Sequence, residues 1–118
     1  MNARTELGSH GEELAARYLV ESGMEILDRN WRTRAGELDL IAADSECAVF
    51  VEVKTRTGLG YGTPAEAVTP LKQRRIRALG VAWLRTSERS WASVRFDVVS
   101  VLVRRGYAPR IDHVKGAF

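Results

Sequence analysis

The chain has 118 residues, of which 45% are hydrophobic and 28% are charged, so its composition is that of a folded protein and argues against a disordered one. We expect one domain over residues 1–118, because a chain of this length can bury a core. No apolar run approaches the roughly 20 residues that cross a bilayer, and the N-terminus has no apolar signal core. The sequence has one cysteine, Cys47, and no zinc-type spacing, so it predicts a cytoplasmic protein that has no membrane as a partner.

The charge is unevenly distributed along the chain, although the net charge is only +3. Residues 1–60 carry 7 Lys/Arg and 11 Asp/Glu, whereas residues 61–118 carry 11 Lys/Arg and 4 Asp/Glu. An acidic half beside a basic half is typical of a metal-binding centre next to a polyanion-binding surface. The alternative interpretation is a solvated basic helix face.

The first half of the chain predicts a helix followed by three strands. Apolar residues at three- and four-residue spacing predict a helix over residues 5–22, ended by Gly23. Loose alternation predicts a strand over 24–31. Clean alternation predicts two further strands over 37–42 and 48–56, joined as a hairpin.

The second half predicts a loop, a helix and two strands. The glycine-rich stretch 57–67 is typical of a loop, and Thr69 with Pro70 predicts the N-cap and first residue of a helix. Strands are predicted over 94–104 and 111–114. The order α-β-β-β-α-β-β indicates an α/β domain with a mixed β-sheet flanked by helices. A ferredoxin-like arrangement is the alternative, although its order differs.

Charged residues interrupt the two hairpin strands at Glu37, Asp39, Glu52 and Lys54. Side chains two apart on a strand share a face, so Glu52 and Lys54 point the same way. If the strands pair in register, Asp39 and Glu52 face each other, and such close carboxylates repel. Hard Mg²⁺ removes this repulsion, and a nearby ammonium can orient water or stabilise charge on a phosphate.

This pattern predicts a site for metal-assisted hydrolysis of phosphodiesters. The alternative is an exposed sheet face with cross-strand ion pairs, in which Glu52 or Glu37 contacts Lys54 or Arg56. Such pairs contribute only about 0.2–1 kcal/mol each. A one-residue slip of the hairpin register would turn Asp39 or Glu52 to the other face.

An acid on one strand and E-x-K on the next resemble the PD-(D/E)XK nuclease core, here Asp39 and Glu52-Val53-Lys54. Nearly the whole chain resembles the YraN-like bacterial family, which is placed among restriction-endonuclease-like and Holliday-junction-resolvase-like folds. The matching stretches are GEELAARYL at 11–19, GELDLIA at 36–42, VFVEVKTR at 49–56, GTPAEAVTPLKQRRI at 62–76, RFDVVSV at 95–101 and IDHVKGAF at 111–118. The chain departs from the motif at Leu38, where a proline often precedes the acid.

The resemblance implies a restriction-endonuclease-like core and roles for individual residues. Asp39 and Glu52 match the metal-binding acids, with the main-chain carbonyl of Val53 as a further ligand. Lys54 matches the catalytic lysine. The implied cofactor is Mg²⁺ or Mn²⁺.

A further acid is implied on the first helix, where Glu13 matches the residue that resolvase-like members supply. The alternative is a surface acid that pairs with Arg17 at i+4. Four residues are candidates for nucleic-acid contact: Arg56, Lys72, Gln73 and Arg75. Lys72 and Gln73 begin the second helix, where backbone N–H groups also favour phosphate.

The expected function is therefore metal-dependent endonuclease cleavage of DNA, with branched or structured DNA as one substrate class. The alternative is a non-catalytic nucleic-acid-binding or adaptor module on the same fold. Action on RNA is a third possibility. Symmetric cutting of two strands would require a homodimer, which we also expect.

Three further polar residues are assigned by their surroundings in the sequence. His10 and His113 are isolated, without metal-ligand spacing, and are expected on the surface. Asp97 interrupts an apolar strand and is expected to pair with Arg95 or to cap a neighbouring element. The sequence contains no Ser/His/Asp arrangement, P-loop or dinucleotide fingerprint.

Overall fold

The computed structural model describes residues 3–58 and 68–118, so most of the stretch predicted as a loop over 57–67 lies outside the described residues. The described elements, in chain order, are α1 (Ala3–Glu21), β1 (Glu25–Thr33), β2 (Gly36–Asp44), β3 (Cys47–Arg56), α2 (Pro70–Thr86), β4 (Ser93–Leu102) and β5 (Arg110–Val114). This order matches the sequence prediction. The mixed α/β class is therefore confirmed.

The five strands form one sheet in the order β1-β2-β3-β4-β5. Strands β1, β2 and β3 pair antiparallel, β3 and β4 pair parallel, and β4 and β5 pair antiparallel. Parallel neighbours need a long crossover connection, and α2 lies in that connection. The sheet is therefore mixed, with β3 at its centre.

The central strand β3 is covered by a helix on each face. Val49, Val51 and Val53 pack in the cluster that contains the buried side of α1, whereas Ala48 and Phe50 pack in the cluster that contains α2. This division follows from the alternation of side chains along a strand. A charged side chain on β3 must therefore find a partner, because burying an unpaired charge is costly.

The start of α2 is fixed by the residues that predicted it. The Thr69 side chain accepts a hydrogen bond of 3.2 Å from the backbone N–H of Lys72, and Pro70 is the first helical residue. Ile76, Leu79, Gly80 and Trp83 form the buried side of the helix. The capped first turn of α2 thus holds Lys72 beside the sheet.

In the described parts of the chain, neither helix is long and apolar enough to cross a membrane.

A buried polar network corrects the surface position expected for His113, whose side chain is only 4% exposed. Its Nε2 lies 2.7 Å from Asp97 Oδ2, and its Nδ1 lies 3.0 Å from the Tyr18 hydroxyl. Arg95 donates to both Asp97 oxygens, as predicted, and the Gly116 N–H donates to one of them. Burial alone would raise the pKa of Asp97, but these bonds hold it below its ordinary value. The network ties β4 and β5 to α1.

Candidate active site on the central hairpin

The pairing of β2 with β3 ends one residue before the two acids. The last paired residues are Leu40 and Val51, and continuing that register places Asp39 opposite Glu52. The Asp39 carboxylate accepts a 2.8 Å hydrogen bond from the Val53 N–H, which joins the two strands beyond their last paired residues. The register that the hairpin pattern required is thus present in the paired part of β2 and β3.

A cleft opens where the two strands separate and α2 begins. It has a volume of about 270 Å³. Its polar lining comes from three elements, as Glu37, Asp39, Glu52, Lys72 and Arg75. Ile76 and Leu79 form an apolar wall on the side of α2. The cleft therefore combines carboxylates from the sheet with basic side chains from the helix.

The pKa of Asp39 is strongly shifted by its position in this cleft. Burial and the negative charge of Glu52 raise the pKa of Asp39 to about 7, and Glu12 adds to this repulsion. The hydrogen bond from Val53 acts in the opposite direction but is outweighed. Asp39 consequently changes its protonation state near neutral pH, which is a common property of residues in functional sites.

Two ammonium groups balance Glu52, whose residue is only 8% exposed. Lys72 Nζ lies 2.6 Å and Lys54 Nζ 3.6 Å from the same oxygen, Glu52 Oε1. Burial would lower the pKa of Lys72, but the bond to Glu52 holds it above its ordinary value. Burial and the nearby charge of Lys72 instead lower the pKa of Lys54. Lys72 is therefore the tight counter-ion of Glu52, and Lys54 the more weakly held cation.

The structure places Glu13 away from this cleft. Its carboxylate pairs with Arg17 at 3.2 Å and with Arg29 at 2.6 Å, on the exposed side of α1. Hydrogen bonds from Arg29 and Arg17 hold the pKa of Glu13 below its ordinary value. These contacts match the alternative interpretation of the sequence, in which Glu13 is a surface acid that pairs with Arg17.

Glu12, which the sequence reasoning did not select, is the acid of α1 that is coupled to the cleft. Burial, followed by repulsion from Glu37 and Glu52, raises the pKa of Glu12. The same side chain lines a second cavity of about 400 Å³ together with Val53 and Arg56. Glu12 thus lies between the carboxylates of the hairpin and a basic residue at the end of β3.

Helix phase offered a sequence signal for this choice. Glu12 lies one turn before Ala16, which is fully buried, whereas Glu13 lies one turn before the exposed Arg17. Residues four apart lie on the same side of a helix. Glu12 is therefore the acid on the side of α1 that faces the sheet.

The four candidates for nucleic-acid contact do not lie together: three line one of the two cavities, and one binds the backbone. Arg75 lines the carboxylate cleft with Lys72, and Arg56 lines the second cavity while donating 3.3 Å to Ser100 Oγ. Gln73 instead donates 3.0 Å to the carbonyl of Val68, which fixes the chain just before α2. Arg56, Lys72 and Arg75 thus each line one of these two cavities, whereas Gln73 lines neither of them.

The donor set of the cleft fits a hard, partly hydrated cation. Across residues 3–58 and 68–118, no three Asp, Glu, His or Cys side chains form a complete metal cage. Asp39 and Glu52 supply two carboxylates, and the Val53 carbonyl leaves the strand on the edge where its N–H meets Asp39. Mg²⁺ and similar ions keep several waters and need only one or two carboxylates. The set does not fit a structural zinc site.

A mixed sheet with a helix on each face, and Asp and Glu-x-Lys on its central hairpin, defines a restriction-endonuclease-like fold. The profile of "Uncharacterised protein family UPF0102" matches residues 11–101, so the chain belongs to this family and the YraN-like resemblance is confirmed. The chain is 68% identical over 112 residues to a UPF0102 protein of Rhodococcus opacus, covering 95% of each chain. It is 62% identical to one of Nocardia farcinica, covering 95% of this chain and 88% of the relative. It is 50% identical to one of Acidothermus cellulolyticus, covering 99% and 96%.

The raised pKa of Asp39 predicts how stability depends on pH when no divalent cation is present. The ordinary pKa is 3.8, so between about pH 4 and 7 the folded protein binds more protons than the unfolded chain. The free energy of unfolding should therefore fall as the pH rises, by at most about 1.4 kcal/mol per pH unit from this group. Asp39→Asn removes this dependence.

Urea unfolding with a chelator at about pH 5 and pH 8 measures the effect. Asp39→Asn should gain stability relative to the wild type at the higher pH. Asp112→Asn, which removes an exposed carboxylate from β5, gives the baseline for losing one acid. An equal difference between Asp39→Asn and wild type at both pH values would contradict the raised pKa.

Proposed function

We propose that the protein is a divalent-cation-dependent nuclease that hydrolyses phosphodiester bonds in DNA, including branched or structured DNA. The observation that supports this most is the pair Asp39 and Glu52 in one cleft, beside the ammonium groups of Lys54 and Lys72. Repelling carboxylates in a buried position cost stability, so apolar residues would be more stable at these two positions if their role were purely structural. A role in cation binding accounts for both acids.

The residues that would hold Mg²⁺ or Mn²⁺ are Asp39, Glu52 and the carbonyl of Val53. A bound cation would supply positive charge to the phosphoryl oxygens and a more acidic water. Lys54 would orient the attacking water or stabilise charge that develops on the phosphate. Glu12, in place of Glu13, would complete the acidic set from α1 or accept a proton from that water.

Lys72 has two positions in this proposal. Without a divalent cation, its Nζ lies 2.6 Å from Glu52 Oε1 and supplies the counter-charge there. A divalent cation at Glu52 would displace that ammonium. Lys72 and Arg75 are three residues apart on α2 and line the same cleft, so the released Lys72 could bind a phosphate beside Arg75.

Binding to DNA should be dominated by phosphate contacts, from Arg56, Lys72 and Arg75. It should therefore weaken steeply with salt and depend little on base sequence. One cleft cuts one strand, so symmetric cleavage would require a homodimer. The free Cys47 is in keeping with a cytoplasmic location, which we include in the proposal.

The second candidate is a nucleic-acid-binding or adaptor module that does not cleave. The charge balance of the cleft favours it, because Lys72 and Lys54 already neutralise Glu52 without a divalent cation. The two candidates differ in one property, because only the nuclease requires a cation at the carboxylates. A nuclease that acts on RNA is a variant of the first candidate.

The central test compares the wild type with Glu52→Gln, which keeps the shape of the side chain and removes its charge. Calorimetry should show Mn²⁺ and Mg²⁺ binding to the wild type and loss of that binding in the variant. Cleavage of a labelled panel of duplex, flap and junction DNA, with RNA counterparts, should fall by about 100-fold or more. Glu25→Gln, an exposed acid at the start of β1, should match the wild type. Cation-independent, equal DNA binding by both proteins without cleavage would support the adaptor instead.

Glu12 and Glu13 make a matched pair of variants on adjacent positions. Glu12→Gln should lower the cleavage rate at least about tenfold, because it removes the acid coupled to the cleft. Glu13→Gln should leave cleavage unchanged and remove only exposed ion pairs. The opposite result would restore the assignment that the family resemblance implied.

Lys72→Met tests whether the ammonium and the cation compete for Glu52. Without a competitor, Mn²⁺ should bind about tenfold more tightly, equivalent to about 1.4 kcal/mol. The metal-free variant should unfold at a lower temperature, since Glu52 loses its nearest counter-ion. Lys72→Arg keeps the charge and should retain the wild-type affinity. Equal Mn²⁺ affinity in the Met variant and the wild type would exclude competition.

A further inference from the structure

The connection between β4 and β5 and the first residue of β5 form a compact basic turn, residues 103–110, which we call the β4–β5 turn. The backbone N–H of Tyr107 donates 3.1 Å to the carbonyl of Arg104, and Gly106 has a φ of +84°, which glycine adopts without strain. Arg104, Arg105 and Arg110 give it three positive charges, and it contains no acid. The turn therefore presents a concentrated positive surface.

Tyr107 is the most exposed of the large apolar side chains among the described residues, at 68%. The guanidinium carbon of Arg104 lies 4.6 Å from the centre of its ring. This contact occupies one face of the ring and favours a fixed orientation. The high exposure leaves the rest of the ring accessible for stacking.

The β4–β5 turn lies at the same end of the sheet as the acidic cleft. Arg56, the last residue of β3, pairs with Leu102, and its carbonyl accepts a 2.8 Å hydrogen bond from the Val103 N–H. Glu52 lies four residues earlier on β3, a distance along the strand of roughly 13 Å. A nucleic-acid strand lying over the cleft and past Arg56 would therefore reach the turn within a few nucleotides.

We propose that the β4–β5 turn binds unpaired nucleotides of the substrate. The open face of Tyr107 stacks on a base, while Arg104, Arg105 and Arg110 contact phosphates. Arg110 is available for this because its pair with Asp112, at 3.4 Å, is exposed to solvent. An aromatic face accepts a base only when that base is free of its duplex partner.

This inference rests on the proposed function and narrows its substrate class. A single-stranded segment held at the turn places the neighbouring part of the same strand near Asp39 and Glu52. The preferred substrates would then contain an unpaired segment next to the scissile bond, as in flaps, forks and open junctions. Duplex DNA would use the arginines but leave Tyr107 without a base.

The test is binding of labelled single-stranded and duplex oligonucleotides, measured by fluorescence anisotropy with a chelator so that no cleavage occurs. Tyr107→Ala should raise the Kd for the single strand about tenfold and change the duplex Kd less than about twofold. Tyr107→Trp should restore single-strand binding, because it restores the stacking surface. An unchanged thermal midpoint would show that each variant is folded.

The arginines have a separate readout in the dependence of binding on salt. The double variant Arg104→Ala/Arg105→Ala should weaken binding to both oligonucleotides and lower the slope of log K against log salt by about 1–2. Arg85→Ala is a control for the loss of one exposed arginine, because Arg85 lies in the last turn of α2, where the chain leads back to the start of β4. It should bind within about twofold of the wild type.

The outcomes separate this inference from the proposed nuclease. Wild-type affinity of Tyr107→Ala for the single strand would overturn the inference, whether or not the protein cleaves. Loss of binding in the arginine variant alone would mean that the turn holds phosphates without stacking, which also overturns it. Loss of single-strand binding in Tyr107→Ala, in a protein that binds no Mn²⁺, would keep the turn and reject the nuclease.

Discussion

The ion pair between Glu52 and Lys72 is the interaction on which the candidate site depends. Glu52 lies on β3, which is covered on both faces, so its charge needs a partner inside the protein. Lys72 provides it from the first turn of α2, and the Thr69 cap with Pro70 fixes where that turn begins. The crossover helix is thereby anchored at the hairpin, and the cleft forms between them.

The same pair explains how an acidic site is tolerated without a divalent cation. Glu52 is neutralised by Lys72, while the raised pKa of Asp39 lets it keep a proton up to near neutral pH. Repulsion between the two acids is thus reduced by one ion pair and one proton. A divalent cation would replace both, so its binding should release a proton and free an ammonium. The exchange links charge balance in the fold to the proposed chemistry.

The sequence predicted the elements, because they follow from local periodicity. It placed Asp39 opposite Glu52 only on the condition that the hairpin paired in register, and the paired residues Leu40 and Val51 have that register. The phase of α1 places Glu12 and Glu13 on different sides of the helix, but Glu13 was selected from the family resemblance and not from this phase. The surface position predicted for His113 was wrong. Its burial depends on the pairing of β5 with β4 and on the approach of α1, which no local pattern contains.

The network around His113 also bears on the β4–β5 turn. Asp97 on β4 is fully buried and bonded to His113 on β5, whose other nitrogen meets Tyr18 on α1. Buried, satisfied networks of this kind hold their elements in one arrangement. The network therefore holds β4 and β5, the two strands that the turn connects, in one arrangement relative to α1 and to β3, the strand that carries Glu52. A stacking platform at Tyr107 would keep a constant distance from the cleft, and the unpaired segment would determine which phosphate reaches the acids.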